Sequence, residues 1–325
     1  MNCLQNQWYK LSLWHLLLIP ISWVFWLLVV IRKSFYKIGF FKSFKLGVPV
    51  IVVGNITVGG TGKTPLVIWL AERLKESGFT PGIISRGYGG VSGEKIIEVS
   101  EESDPFLVGD EPVLLSSKTR CPVYVGRKKG LVAQALLRDH PECDILLSDD
   151  GLQHYALSRD YEIAVVDATR NYGNGFLLPA GPLREPLSRL GFVDSIVYNG
   201  SLSNSAQIAM NLNGQLFHNL KHPEIVVEAG YFEGKSTHVV AGIGNPDRFF
   251  KKLEDLGLQF ERHVFPDHYL FKPGDLQIPD AQAILMTEKD AVKCKKFAQD
   301  NFWSLSAYPD VDMELLNRIM RSIRK

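Results

Sequence analysis

The run GNITVGGTGKTP, Gly54 to Pro65, constrains this chain more than any other part of it. Before it stands VPVIVVGN, a short apolar stretch rich in β-branched residues. After it LVIWLAERLKESG has helical spacing and stops at Gly78. A strand, a glycine-rich turn and a helix together let backbone N–H groups converge on phosphate oxygens, and the helix adds its positive end. In that setting Thr57, Val58, Gly59, Gly60, Thr61 and Gly62 form the cradle. Lys63 reaches the β- and γ-phosphates of a nucleotide, and the Thr64 hydroxyl holds Mg²⁺. The strict G-x4-G-K-[ST] pattern places its first glycine where this chain has Thr57, so flexibility falls to Gly59, Gly60 and Gly62. A glycine-rich turn that binds nothing would leave the Lys-Thr pair and both flanks unexplained.

From Val48 onward apolar strands alternate with amphipathic helices, the pattern of a parallel sheet covered on both faces. Strands are expected at 48–53, 82–85, 122–125, 144–148, 162–167 and 194–198, and helices at 63–77, 109–118 and 127–139. The polar, Asn-rich residues 200–222 read as a linker or hairpin. A second α/β unit follows, with strands at 237–243, 259–265, 283–287 and 302–307 and helices at 246–256, 288–298 and 311–324. The expected division is residues 1–45 as an apolar helix with a basic flank, 46–222 as the phosphate-loop domain and 223–325 as a smaller α/β domain. A chain of 325 residues has room for this. Its net charge of +1 argues against a general polyanion or nucleic-acid binder. Cys3, Cys121, Cys143 and Cys294 are scattered without metal-ligand spacing, as expected of reduced, packed thiols, and the eight histidines show no H-E-x-x-H or comparable cluster.

The first seventy residues are different. No Asp or Glu precedes Glu72, and Leu16 to Ile31 is apolar apart from Pro20 and Ser22. At about 1.5 Å per residue this run reaches roughly 24 Å, short of a ~30 Å hydrocarbon core. Arg32, Lys33, Lys37, Lys42 and Lys45 follow it. A cleaved signal peptide fits poorly, because the charge follows the apolar run. A buried core helix would not call for the basic flank, which suits anionic headgroups on the cytoplasmic side. A membrane-anchored protein with a cytoplasmic bulk is expected; spanning and monotopic arrangements both remain open.

CDILLSDDGLQH, Cys143 to His154, is an apolar strand ending in Ser148, Asp149 and Asp150. Downstream of a phosphate loop it reads as a Walker B element, whose carboxylates hold Mg²⁺ directly or through water. Asp149 and Asp150 are therefore the expected metal ligands together with Thr64. YEIAVVDATRNYGNGFLLPAGPLREP starts as a strand ending in Asp167 and becomes a Gly/Pro-rich loop carrying Arg184 and Glu185. Arg184 suits either a phosphate contact or a surface salt bridge to Glu185 or elsewhere. Arg86 of SRGYGG, Arg127 of GRKKG, Arg184 and Glu185 are the candidate substrate contacts. Asp110 and Glu111 of LVGDEPVLL belong at a helix start for capping reasons alone. His268 of FPDHY, read in isolation, is structural.

Taken together, GNITVGGTGKTP, SRGYGG, VGDEP, SDDGLQH, GNGFLLPAGPLREP, AGIGNPDRFF, FPDHY and TEKDAVK, with the apolar N-terminus, resemble the tetraacyldisaccharide 4′-kinases of lipid A synthesis over nearly the whole chain. The resemblance implies an ATP- and Mg²⁺-dependent lipid kinase at the cytoplasmic face of the inner membrane of a Gram-negative-type bacterium. Its substrate would be an acylated disaccharide 1-phosphate among anionic lipids, with no nucleic acid and no obligate protein partner. It implies a P-loop NTPase-like domain with a second α/β domain. It also makes Asp110 the catalytic base, His268 its partner and Lys63 a catalytic lysine. The rival readings are a regulatory NTPase that turns over nucleotide without lipid, and a membrane-anchored ATP sensor indifferent to Asp110 and His268.

Overall fold

The structure is a computed structural model that describes residues 8, 13–91, 93, 95–200 and 207–323. A long helix α1 (Leu13–Lys37) comes first. The next elements are β1 (Val50–Gly54), α2 (Lys63–Glu76), β2 (Pro81–Ser85), β3 (Ile97–Val99), α3 (Pro105–Val108), α4 (Asp110–Thr119), β4 (Val123–Val125), α5 (Lys129–Asp139), β5 (Ile145–Ser148), β6 (Tyr161–Asp167), β7 (Ser195–Asn199) and β8 (Ile208–Asn213). The chain continues with β9 (Leu216–Asn219), β10 (Val226–Glu228), β11 (Thr237–Ala241), α6 (Pro246–Asp255), β12 (Glu261–Val264), β13 (Ala283–Thr287), α7 (Glu288–Cys294), β14 (Phe302–Leu305), β15 (Tyr308–Val311) and α8 (Glu314–Ile323).

Among the described residues the named strands form two sheets, a nine-stranded one ordered β15-β8-β7-β6-β1-β5-β2-β4-β3 and a six-stranded one ordered β10-β9-β14-β13-β11-β12. β1 lies inside the first sheet, parallel to β5 on one side and β6 on the other. Its alternation explains why it reads as one apolar run: Ile51 and Val53 pack with Leu66, Leu70 and Leu74 of α2, while Val50 and Val52 pack with Val132 and Leu136 of α5. A strand covered on both faces has no polar register to show. The second sheet repeats the arrangement, with Val239 and Ala241 against Phe249, Phe250 and Leu253 of α6 and Val240 against the opposite cluster.

Three expectations change. The stretch expected as a linker or hairpin holds β8 and β9, which do not pair with each other: the chain passes from the first sheet to the second between them; residues 201–206 lie outside the described residues. In β8 Ile208 and Met210 are buried while Asn211 is exposed, so an alternating strand was hidden in an Asn-rich composition. The C-terminal segment expected in the second unit returns to the first sheet. There β15 pairs antiparallel with β8, and Leu315, Leu316 and Ile319 of α8 join the core over β1. The helix expected at 288–298 ends at Cys294 and gives way to a 3₁₀ turn over Lys295–Phe297. Cys121, Cys143 and Cys294 are free and buried, and Cys3 lies outside the described residues.

Candidate active site

The first sheet collects its chemistry at the carboxyl ends of parallel strands, where open α/β sheets bind ligands. β1 leads into the glycine loop, β5 into Asp149 and Asp150, β2 into SRGYGG, β6 into Asp167 and β7 into Asn199. Register fixes two of these positions: Val52 pairs with Ser148, and Gly151 N–H donates to Val53 O at 3.0 Å, so the acidic pair lies beside the start of the loop. The loop itself is clasped by GPLREP: Val58 N–H donates to Pro182 O (2.8 Å), Arg184 N–H donates to Ile56 O (2.7 Å), and Thr57 bridges Leu183. Gly62 has φ 94°, and a Cβ there would strike the Asn199 side chain, so the helix can begin at Lys63 only after glycine.

Lys63 Nζ stands 3.5 Å from Asp150 Oδ1, and Arg184 Nη1 donates to Asp150 Oδ2 at 3.3 Å. Arg184 therefore meets the acidic pair and not Glu185. Burial works to raise the Asp150 pKa, but Lys63, Arg184 and Lys129 outweigh it and hold the carboxyl well below the usual carboxylate range. Asp149 is fully buried, and neither of its carboxylate oxygens has a hydrogen-bond partner. Burial, seconded by repulsion from Glu111, pushes its pKa up to about 7. A carboxylate orphaned in this way beside a phosphate loop fits a divalent cation, so the residues suit Mg²⁺ with Thr64, itself buried at the loop's end. Of GRKKG, Arg127 and Lys128 are exposed and Lys129 is buried, with Nζ 3.0 Å from Ser148 Oγ and against the Asp149 carbonyl. Arg86 is exposed. Glu185 is buried and its carboxylate is taken up by Gln153 (2.8 Å), Tyr155 and Arg189 (3.4 Å), so it braces the loop and has no oxygen to spare for substrate.

The second sheet brings its own carboxyl ends to the same crevice. Phe265–His268 follows β12, Gly242–Asn245 follows β11, and α7 follows β13. Asp110, the first residue of α4, is buried and accepts from the adjacent Glu111 N–H at 2.8 Å; the N-cap position itself is Gly109, which has no side chain to cap with. The same carboxylate lies 3.0 and 3.1 Å from His268 Nδ1, and an ionised carboxylate can only accept, so Nδ1 donates. Burial works to raise the Asp110 pKa, but His268, Lys289 and Lys293 overcome it and keep it below its ordinary value. Lys293 Nζ is 3.8 Å from Asp110 Oδ2 and 2.7 Å from Asp290 Oδ1, while Lys289 pairs with Glu111 at 3.1 Å. Gly109 (φ 92°) permits the approach, since a Cβ there would meet Tyr88 O at 2.6 Å. His268 itself has φ 58°, and Tyr88 lies 5.0 Å from its ring.

Sequence reasoning missed three residues. Lys293 sits one turn after Asp290 on α7, and that i,i+3 spacing was the available signal. Lys129 stood in a basic run whose other members are solvated. Arg248 Nη2 donates to Asn199 Oδ1 at 2.7 Å, and Asn199 Nδ2 donates to Thr61 O of the phosphate loop at 3.0 Å, a link between the sheets with no sequence spacing to reveal it.

Two mainly parallel sheets that meet at a glycine-rich loop, an acidic pair and a carboxylate–histidine pair form an arrangement suited to phosphoryl transfer. A sequence profile of the LpxK family, described as tetraacyldisaccharide-1-P 4′-kinase, matches residues 14–324. Relatives named tetraacyldisaccharide 4′-kinase are 49% identical over 322 residues in Methylobacillus flagellatus (99% of this chain, 96% of the relative) and 50% identical over 308 residues in Nitrosococcus oceani (95% and 89%). The crystal structure of LpxK from Aquifex aeolicus in complex with ATP superposes with a TM-score of 0.79 at 28% identity, covering 96% of this chain and all of that one. The chain belongs to the tetraacyldisaccharide 4′-kinase family.

Proposed function

We propose that this enzyme transfers the γ-phosphoryl group of ATP to the 4′-hydroxyl of a tetraacylated disaccharide 1-phosphate. The observation that carries the reading is the buried Asp110–His268 pair, 3.0 Å apart, delivered from two sheets to the crevice that also holds Lys63. The glycine loop and the end of α2 bind the nucleotide phosphates, with Lys63 countering charge on the γ-group. Asp110 receives the sugar hydroxyl proton as the new O–P bond forms and the bond from the γ-phosphorus to the bridging oxygen breaks, releasing ADP. His268 donates to Asp110 and fixes its orientation; because it comes from the second sheet, the pair holds only while the two lobes stay together. Thr64, Asp149 and Asp150 are the residues to hold Mg²⁺, which when bound neutralises charge on the phosphates. Arg86 and Arg127, both exposed near this edge, remain candidates for the anionic substrate; Arg184 serves the acidic pair first.

The lipid substrate gives α1 a purpose. Its segment Leu17–Lys37 is long and apolar enough to cross a membrane, and Leu17, Trp23, Val24, Leu28, Ile38 and Phe40 are exposed. Yet Ser22, inside the helix, donates to Leu177 O (2.9 Å) and accepts from Ala180 N–H (3.1 Å) in the loop after β6. A helix held to the catalytic body at that point suits lying in the headgroup layer better than crossing the bilayer. The reading is thus a monotopic enzyme on the cytoplasmic face of the inner membrane, drawn to anionic lipids by Lys33, Lys37 and their neighbours.

The test is transfer from γ-labelled ATP to the tetraacyl disaccharide 1-phosphate in detergent with Mg²⁺, wild type against Lys63→Ala. Label in the lipid that depends on Lys63 is the expected result. ATP breakdown without labelled lipid would return the chain to a regulatory NTPase.

A further inference from the structure

The histidines show no metal-ligand spacing along the sequence, but the second sheet brings two of them together. His238 on β11 is in register with Glu261 on the neighbouring parallel strand β12, and His263 is in register with Val240. With a side-chain period of two, all three side chains fall on one face of the pair. The three ligand atoms lie within 4.8 Å of one another. His238 Nδ1 is 3.0 Å from His263 Nε2 and 3.7 Å from Glu261 Oε2, and His263 Nε2 is 3.9 Å from Glu261 Oε1. Ligands bound at about 2.0–2.2 Å in tetrahedral geometry stand roughly 3.3–3.5 Å apart, and these separations bracket that figure.

We infer that His238, Glu261 and His263 form a binding site for a divalent transition-metal ion of the zinc type, separate from the Mg²⁺-type site at the phosphate loop. Two imidazoles and one carboxylate select borderline ions over Mg²⁺, which asks for an all-oxygen octahedron. His238 is buried, and its other nitrogen, Nε2, has Ser236 Oγ at 3.3 Å, the kind of outer contact that fixes a ligating imidazole. Glu261 is largely exposed, which leaves the fourth position to water. β12 is the edge of its sheet, held to one neighbour, so a bound ion would clip an otherwise weakly held strand. That strand runs directly into Phe265–His268, so the ion would steady the stem of the loop that presents His268 to Asp110.

Full-length protein in detergent, stripped with chelator and kept in excess Mg²⁺ to cover oxygen sites, would be dialysed against micromolar Zn²⁺ and its metal content measured. One equivalent of zinc per chain is expected in wild type, with Co²⁺ in its place giving the visible absorption of a low-coordinate site. His263→Ala should lose that equivalent while its metal-free thermal unfolding matches wild type, and Asp149→Asn should keep it. Zinc should raise the unfolding temperature of wild type by a few degrees and leave His263→Ala unmoved. Should His263→Ala fail to fold, Glu261→Ala at the exposed position should still fold and bind zinc at least about tenfold more weakly. Equal zinc in wild type and either variant, loss of the equivalent in Asp149→Asn instead, or no zinc retained by wild type would each overturn the site.

Discussion

Two carboxylates of the first lobe, Asp149 and Asp110, are held by opposite means, one by its own lobe and one by the lobe across the crevice. On the first sheet, Asp149 is buried without a hydrogen-bond partner and its pKa is pushed up to about 7 by burial and Glu111. At the start of α4, Asp110 is about as deeply buried, yet His268, Lys289 and Lys293, all from the second lobe, overcome the cost of burial and hold it below its ordinary value of 3.8. Burial alone therefore does not set the charge of either group; what differs is whether the cations nearby outweigh burial, as they do at Asp110, or fall short of it, as Lys63 and Lys129 do at Asp149. Around Asp110 the protein supplies them all. At Asp149 Lys63 and Lys129 compensate only in part, which leaves room for a cation from solution, as the proposed metal-ligand role of Asp149 and acceptor role of Asp110 would require.

The strongest test of that contrast is Asp110→Asn, which keeps size and removes charge. Loss of general-base action typically costs about 10²–10⁴-fold in rate, so kcat should fall into that range while ATP affinity, measured by equilibrium binding, stays close to wild type. A parallel loss of ATP affinity would mean that Asp110 serves the nucleotide and not the acceptor. The same carboxylate contributes stability that is complete above pH 3.8 and is lost as pH falls through its lowered folded-state value. Chemical denaturation of Asp110→Asn should therefore be less pH-dependent than wild type in that acid window.

His268→Ala removes one charge-assisted hydrogen bond, worth about 1.5–3 kcal/mol, so kcat should drop roughly 10- to 100-fold, less than in Asp110→Asn. Because His268 helps hold the Asp110 pKa down, its removal should also move the acid limb of the kcat–pH profile to higher pH. An unchanged limb with the same drop in kcat would reduce His268 to a packing residue.

Asp149 predicts the reverse sign. In metal-free protein its carboxyl titrates near 7, and a ligand must be deprotonated to bind. Mg²⁺ affinity should thus climb about tenfold per pH unit up to about pH 7 and level off above it, with a proton released on binding at lower pH. Titration calorimetry in buffers of different ionisation enthalpy reads both quantities. A flat affinity from pH 6 to 8 would remove Asp149 from the metal site, and Asp150, already ionised, would be left as the ligand.

How much of this was legible in the sequence follows the same line. That the glycine loop and the acidic pair lie together was readable because each is a short-range signature, GGTGKT and SDDG, and β1 and β5 bring them side by side as neighbouring parallel strands. The Asp110–His268 pair spans 158 positions, and in isolation each residue has an ordinary explanation, a helix cap and a lone histidine. Only the likeness to a kinase family singled them out, and only the fold brings them to 3.0 Å. Arg248 and Lys293 lie in the stretches that carry the likeness yet drew no role, and Lys129 stood in a basic run, because a lysine or arginine that is drawn inward looks like a surface one until its neighbours are known. The path of the chain was misread for a related reason. In β15 and α8 nothing local says which sheet they rejoin, and the final return to the first sheet is a long-range packing choice made by Leu315, Leu316 and Ile319.

The smallest expected effect bears on how the two halves stay in step. Arg248, at the start of α6 in the second lobe, reaches Asn199 at the end of β7, and Asn199 in turn holds Thr61 O of the phosphate loop. Arg170 adds a second contact from the first lobe, donating to Gly244 O at 3.2 Å. Arg248→Ala deletes one such hydrogen bond, about 1 kcal/mol, or roughly fivefold in an equilibrium constant. If the link transmits lobe position to the cradle, the loss should appear as a severalfold rise in KM for ATP with kcat nearly intact, and Asn199→Ala should reproduce it without adding to it in the double variant. Additive effects would mean that the two residues act separately and that this link does not carry lobe position to the cradle.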